Sequence, residues 1–338
     1  MTPNFDSREL VAALKAAAEP TRLRILKLLS TGELNVKDLT QILGQSQPRV
    51  SRHLKLLTEA GLIDRFREGS WVYFHVADGT HGGELTRQVL AALNDSDAVM
   101  VRDQERAGVV KREREASAQA FFEAHASDWD EIRAYHIAEA EVEAAMADML
   151  GQGPFDFLVD LGTGTGRILE LFGATYAHGL GIDLNQSMLA YARSKLAEAG
   201  LERAQVRQGD LYNLPLDQGA ADAVIMHQVL HFLSDPAVAV SEAARVLAPG
   251  GRLLIVDFAP HELEDLRERF AHERLGFSNS QIQEWMRSAG LEPLAVRTLS
   301  PPAAEPMDRL SVSIWIAGKS GSLTEKSGLL PQRKLERA

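Results

Sequence analysis

The chain contains no cysteine, which removes disulfides, thiolate metal sites and cysteine nucleophiles together. It also has no apolar run approaching the roughly 20 residues needed to cross a bilayer, so a membrane span is excluded. The first ten residues, MTPNFDSREL, lack the basic start and apolar core of a secretion signal, and the protein is expected to stay in the cytoplasm. Aromatic residues make up only 6% of the chain. What is present is ordinary for a globular protein: 45% hydrophobic and 25% charged residues. A length of 338 residues fits two domains with sizeable cores.

Charge is unevenly spread along that length. Residues 1–85 carry 11 Lys or Arg against 10 Asp or Glu, a balance of +1, whereas the rest carries 25 against 37, a balance of −12. An acidic bulk argues against nucleic acid wrapping the whole molecule but leaves room for a basic patch at one end.

The first eighty residues read as short helices followed by a hairpin. Leu10, Leu14 and Ala17 recur at helical spacing, and Pro20 suits the first turn of a second helix with Leu23, Leu26 and Leu29 inward. VKDLTQILG ends at Gly44, a natural C-terminal cap, and the next helix runs from a Ser46 cap to Gly61 after a turn of about three residues. LIDRF and SWVYFHV then alternate about Glu68-Gly69. Helix-turn-helix plus hairpin makes a winged helix. On the second helix of the pair, Val50, Leu54 and Leu57 share one face while Gln47, Pro48, Ser51, Arg52 and Lys55 share the other. Residues 46–67 hold Arg49, Arg52, Lys55, Arg65 and Arg67 against Glu59 and Asp64. Double-stranded DNA is the expected partner: Gln47, Pro48, Ser51, Arg52 and Lys55 belong to the major-groove face, and Arg65 and Arg67 on the wing would meet phosphates. His53, at the edge of the apolar face, is expected in the core or near a phosphate.

Over Ala16 to Val76 this stretch resembles the ArsR group of dimeric bacterial repressors, without a gap. The resemblance implies a homodimer that binds an operator. Many such repressors sense metals through thiolates in a pattern like E-L-C-V-C-D-L. Here Glu33-Leu34-Asn35-Val36-Lys37-Asp38-Leu39 carries Asn35 and Lys37 where the sulfurs would be, and neither holds a soft metal. Around Asp78 and His81 no second helical histidine completes the family's other metal site. No metal is expected, and the signal must enter elsewhere.

Glu84 to Leu93 is expected to close the dimer. Asp95 to Ala116, rich in charge, reads as a solvated spacer that can help dimerisation. Phe121, Phe122, Trp129 and Tyr135 then cluster in an otherwise aromatic-poor chain. They suit a helical cap on the next domain, and Trp129, Tyr135 or His136 could help cover a ligand there.

The strand Phe155 to Asp160 runs into GTGTG and then a helix starting near Arg167. Glycines at such a turn let backbone approach a ligand closely. Asp183 ends a second strand 17 residues after Gly166, placed to accept both hydroxyls of a ribose. The pattern G-x-G-x-G, with Arg167 where a dinucleotide fingerprint wants glycine, and a carboxylate at Asp160 both weigh against a pyrophosphate. A cationic nucleoside fits better. Asp210, after the strand AQVRQ, is in reach of an adenine amino group, and Ala221 to Met226 leads into His227-Gln228-Val229-Leu230-His231. From Phe155 to Gly318 these motifs resemble the class I methyltransferases, especially their UbiE-like small-molecule branch. The resemblance implies a Rossmann-like seven-stranded α/β domain binding S-adenosylmethionine or S-adenosylhomocysteine. It assigns Asp160, Gly162, Thr163, Gly164 and Gly166 to the methionine part. Asp183 falls to the ribose, Asp210 and Leu211 to the adenine, and His227 with Leu230 to the sulfur end, while Leu184 and Met188 also belong to the cofactor site.

The reading divides the chain into a winged-helix domain over 1–94, a helical connector and cap over 95–150, a methyltransferase domain over 151–318 and a disordered tail over 319–338. Arsenic methylation is excluded by the missing thiolates. Two functions stay open: a transcriptional regulator that binds the nucleoside as effector, and an active small-molecule methyltransferase with an appended DNA reader. For the second, His227 and His231 are the candidates to take a proton from an acceptor.

Overall fold

The computed structural model describes residues 5–68, 70–77, 79–94, 96–126, 129, 139–151, 153–301 and 310–321. Gly69, Asp78, Tyr135, His136, most of the proline-rich loop at 300–309 and the tail beyond Gly321 lie outside the described residues. Two compact units emerge. The first gathers Met1–His125 with Leu230–Ala237 and Phe258–Phe277; the second holds Ala126–Val229, Val238–Asp257 and Ser278–Ala338.

In the first unit, α1 (Ser7–Ala17) starts with a capping box between Asp6 and Glu9, and α2 (Pro20–Leu29) starts with proline in its first turn. A two-residue strand, β1 (Leu34–Asn35), leads into α3 (Val36–Leu43), whose own capping box joins Asn35 to Asp38 and whose C-cap is the left-handed Gly44. The second helix of the DNA-reading pair, α4, spans Gln47–Glu59; Ser46 occupies its N-cap position without a side-chain hydrogen bond. Strands β2 (Ile63–Glu68) and β3 (Trp71–Val76) pair antiparallel as the wing, and β1 adds to the other edge of β3. Ile25, Leu26, Leu29, Leu39, Ile42, Val50, Leu54, Leu57 and Ile63 make the core.

Two expectations change, and the alternative left open for His53 is settled. Leu10 and Leu14 are exposed and Leu23 is only half-buried, because Ala13 and Ala17 are the residues of α1 that face the core and Ile25 joins Leu26 on α2. His53 is a core imidazole with Nδ1 3.6 Å from the Glu19 carboxylate, and burial lowers its pKa. The charged run after α5 (His81–Ala91) does not float as a spacer: it forms α6 (Ala98–His125), which packs on the winged helix. Its charges are the reason. Arg24 of α2 grips Asp103 with two hydrogen bonds of 2.5 and 2.8 Å, Arg106 donates to the Ile42 carbonyl at 3.1 Å, and Arg114 donates to Asp38.

The second unit is built on one seven-stranded sheet. In chain order its strands are β4 (Phe155–Leu161), β5 (Tyr176–Asp183), β6 (Ala204–Gln208), β7 (Ala221–His227), β8 (Leu247–Phe258), β9 (Leu291–Leu299) and β10 (Val312–Lys319). Their spatial order is β6-β5-β4-β7-β8-β10-β9. Strands β4 to β8 pair in parallel, while β10 and β9 are antiparallel to each other. The near-continuous burial of β4, β7 and β8 is that of central strands covered on both faces. Strand order reverses between β4 and β7, so the crevice beyond the carboxyl end of β4 is where this topology opens toward a ligand. No helix among the described residues is long and apolar enough to cross a membrane.

Asp103 is 1% exposed, and Arg24 is its bidentate partner. Arg24→Met would leave a buried carboxylate alone and is expected to cost about 3–5 kcal/mol, read as a lower urea midpoint for the first unit's unfolding.

Candidate functional site

The site is assembled by the turn after β4 and the ends of β5, β6 and β7. Gly162, Gly164 and Gly166 all take positive φ, at 74°, 49° and 83°. They hold that conformation for different reasons. A side chain at Gly162 would collide with Val229, whose Cβ is only 2.8 Å from where a Cβ would stand, so glycine there is a packing requirement. At Gly164 a Cβ would meet nothing closer than the Trp129 indole nitrogen at 3.5 Å, an ordinary contact. Packing therefore does not demand glycine at 164; it leaves an open backbone under the indole of Trp129, itself 9% exposed.

That backbone is tied to β5. Gly164 N–H donates to Asp183 Oδ2 at 2.9 Å, and Asn185 N–H donates to Oδ1 at 2.8 Å. Dense surrounding protein raises the Asp183 pKa, while the backbone donors Asn185, Gly164 and Leu184 oppose that rise. Each oxygen keeps a lone pair for a ligand hydroxyl. Asp160, 1% exposed, accepts from the Thr163 hydroxyl at 2.6 Å, which fixes both at the floor of the turn. Asp210 is exposed and takes the Tyr212 N–H at 2.9 Å; Leu211 is buried. Leu184 is 42% exposed at the end of β5, whereas Met188 is 2% exposed and belongs to the core under α7 (Gln186–Glu198).

The assigned residues Asp160 to Gly166, Asp183, Leu184, Asp210, Leu211 and His227 thus lie at the ends of adjacent parallel strands of one unit. His231 does not: it belongs to the first unit, 2% exposed, its ring 4.2 Å from His272 and 4.9 Å from Phe258. Arg167 is held by Glu143 at 2.7 and 2.8 Å and by Glu170 at 3.0 Å, which raises its pKa and takes its charge out of contention for a phosphate. The residues present fit a nucleoside without phosphates. Sequence reasoning missed Gln228, a buried non-glycine at φ 54° just past β7 whose N–H is held by the Val256 carbonyl at 2.8 Å. Strain of this kind collects at functional sites. No residue pattern signals it, because it arises where β7 ends against β8.

In the first unit, Gln47, Pro48, Ser51, Arg52 and Lys55, the residues expected to face DNA, are all exposed on α4, together with Arg49, and Arg65 and Arg67 are exposed on β2. Among the described residues no group of three or more His, Asp or Glu could hold a metal ion.

A winged-helix DNA reader joined to a class I methyltransferase sheet is the class that fold and site define. A methyltransferase-domain family matches residues 159–255, and the family described as bacterial regulatory protein, arsR family, matches residues 19–65. A demethylmenaquinone methyltransferase of Clavibacter sepedonicus is 34% identical over 169 residues, covering 42% of this chain and 68% of its own. The arsenical resistance operon repressor of Escherichia coli is 47% identical over 68 residues, 20% of this chain and 58% of its own. A solved S-adenosylmethionine-dependent methyltransferase of Thermotoga maritima is 23% identical with a TM-score of 0.49, covering 60% of this chain and 99% of that one. The chain belongs to the class I S-adenosylmethionine-dependent methyltransferases, carrying an arsR-family helix-turn-helix domain at its N-terminal end. It spans only 28% to 64% of the length of four other curated relatives it matches.

Two outcomes follow for S-adenosylhomocysteine binding measured by calorimetry. Gly164→Ala is expected to fold, at about 1–2 kcal/mol for a left-handed alanine, and to lose most of its affinity because the methyl occupies the open backbone. Hydroxyl donors favour ionised Asp183, so its pKa is lower in the complex than in the free protein. Affinity is therefore expected to fall as pH drops through the raised free-state pKa and to level off above it; Asp183→Asn should weaken binding and flatten that profile.

Proposed function

We propose that this protein is a homodimeric transcriptional regulator whose methyltransferase domain binds S-adenosylmethionine or S-adenosylhomocysteine as the effector of its DNA affinity. The residues that would hold the nucleoside are those just described: Gly164 and Asp160 beside the methionine part, Asp183 at the ribose, Asp210 and Leu211 at the adenine. When bound, the methyl donor brings a cationic sulfur, which the two carboxylates at the turn favour.

The observation that carries the regulatory reading is the composition of the first unit. The segments that continue from β7 and β8, Leu230–Ala237 and Phe258–Phe277, are counted with the winged helix rather than with the sheet they leave. In an enzyme with a merely appended DNA reader, those segments would be free to shape an acceptor pocket. Here Leu230, His231, Phe232, Leu275 and Phe277 are buried within the DNA-reading unit. A ligand that changes the ends of these strands therefore has a covalent route to the DNA reader. Support for a dimer comes from α1, whose Leu10, Val11 and Leu14 are 37%, 48% and 43% exposed on a single helix, a patch that association would remove from water.

The test is operator affinity, using a fragment that the protein itself selects from random DNA, with and without each nucleoside. A change of about 5–150-fold is the expected allosteric range. Unchanged affinity with both nucleosides, together with methyl transfer to phenols, quinones or amines, would establish the enzyme reading instead. Arg52→Ala is expected to cost about 1–3 kcal/mol on the selected site and to relax its specificity, whereas Arg65→Ala should weaken all sequences alike and lower the salt slope by about one.

A further inference from the structure

Arg274 is 1% exposed, yet its surroundings are built of charge. Its Nη2 lies 2.8 Å from Glu33 Oε2, and its Nη1 lies 3.7 Å from Glu68 Oε2. The other Glu68 oxygen is held at 2.8 Å by Arg267 and at 2.5 Å by the Leu275 N–H. Arg114 of α6 bridges Asp38 to Glu273, the latter at 2.6 Å. Two aromatic faces of the wing complete the shell: Arg274 lies 4.2 Å over Tyr73 and Arg267 4.4 Å over Trp71. Three guanidiniums thus meet four carboxylates in a largely buried cluster.

These groups come from separate parts of the chain with distinct tasks. Glu33 precedes β1 and α3, Asp38 is half of the α3 capping box, and Glu68 ends the first strand of the wing. Glu273, Arg274 and Arg267 belong to the segment that continues from β8. The same segment is pinned to the one that continues from β7, since the N–H groups of Glu273 and Arg274 both donate to the His231 carbonyl at 2.9 Å.

Buried ion networks contribute little net stability compared with apolar residues of the same volume, so burial of seven charges calls for another reason. The cluster has slack. Nε and Nη1 of Arg274 find no acceptor in hydrogen-bonding geometry among the described residues, and a cavity of about 340 Å³ borders Glu33 and Arg114, walled also by Ser234 and Asp235. An incompletely satisfied network beside open space can take a second arrangement in which Arg274 trades one carboxylate for the other. That is a two-state element of the kind coupling requires.

We infer that Arg274, with Arg267 and Arg114, is the positioning group that transmits the nucleoside's effect to the DNA reader, by setting the start of α3 through Glu33 and the wing through Glu68. The inference rests on the regulatory reading above. In wild type the ligand changes operator affinity; in the Arg274→Met chain and in the Glu33→Gln, Arg274→Met pair, nucleoside affinity by calorimetry stays unchanged while the ligand-dependent ratio of operator affinities falls to near one. A merely structural network would lower the unfolding midpoint and leave that ratio intact. Arg274→Lys, which keeps the charge but cannot span both carboxylates, gives an intermediate ratio. Should Arg274→Met not fold, Arg267→Met removes the other cation on Glu68 and carries the same expectation. A full ligand response in folded variants overturns this inference alone; no response in the wild type overturns it together with the regulatory reading.

Discussion

Arg274 stays charged inside the protein because Glu33 and Glu68 stand on either side of its guanidinium and the Tyr73 ring lies beneath it. An isolated ion at that depth would be strongly penalised, so burial of Arg274 requires carboxylates beside it. The consequence reaches the outer surface. Glu33, Asp38 and Glu68 turn inward to arginines, and on the surface of α4 and the wing Arg49, Arg52, Lys55, Arg65 and Arg67 outnumber the exposed acids Glu59 and Asp64. The overall charge is −11, yet the face that would meet phosphates is positive, because its basic side chains outnumber its exposed acids once Glu33, Asp38 and Glu68 are engaged inward.

The second unit solves a complementary problem. Parallel strands on either side of β4 leave a crevice at its carboxyl end, and the turn there must approach a ligand without side chains. Gly162 makes the turn compatible with Val229, Gly164 leaves its backbone open, and the bond from Gly164 to Asp183 ties that open backbone to the end of β5. Arg167, the nearest cation in sequence, is committed to Glu143 and Glu170. What remains at the turn is carboxylate, which would favour a nucleoside with positive charge over one with phosphates.

Both halves were legible in the residues to different depths. Strands β4, β5 and β7 follow from apolar runs that lead into the turns at Gly162, Leu184 and Gln228, because parallel strands covered on both faces leave a strong local pattern. Helices α2 to α4 and the wing follow for the same reason, along with the exposed face from Gln47 to Lys55. The two-residue β1 left no pattern to read. The packing of α6 was misread because Asp103, Arg106 and Arg114 look like solvent-facing charge until their partners Arg24, Ile42 and Asp38, some 64 to 79 residues away, are known. Glu68 was read as the tip of a hairpin, where acids are common; its burial depends on Arg267, 199 residues further on. Periodicity reports which face is apolar, and it is silent about long-range pairing of charges.

The position of Asn35 and Lys37 connects these observations. Asn35 and Lys37 stand where the resembled metal-sensing repressors carry thiolates. Here Asn35 caps α3 through the Asp38 N–H at 3.0 Å, and Asp38 returns a bond to the Asn35 N–H at 3.1 Å while accepting Arg114. Glu33, two residues before Asn35, is taken by Arg274. The stretch from Glu33 to Asp38 is therefore held by ionic attachment to α6 and to the segment that continues from β8. Two arginines grip the start of α3, Arg114 of α6 and Arg274 of the segment that continues from β8.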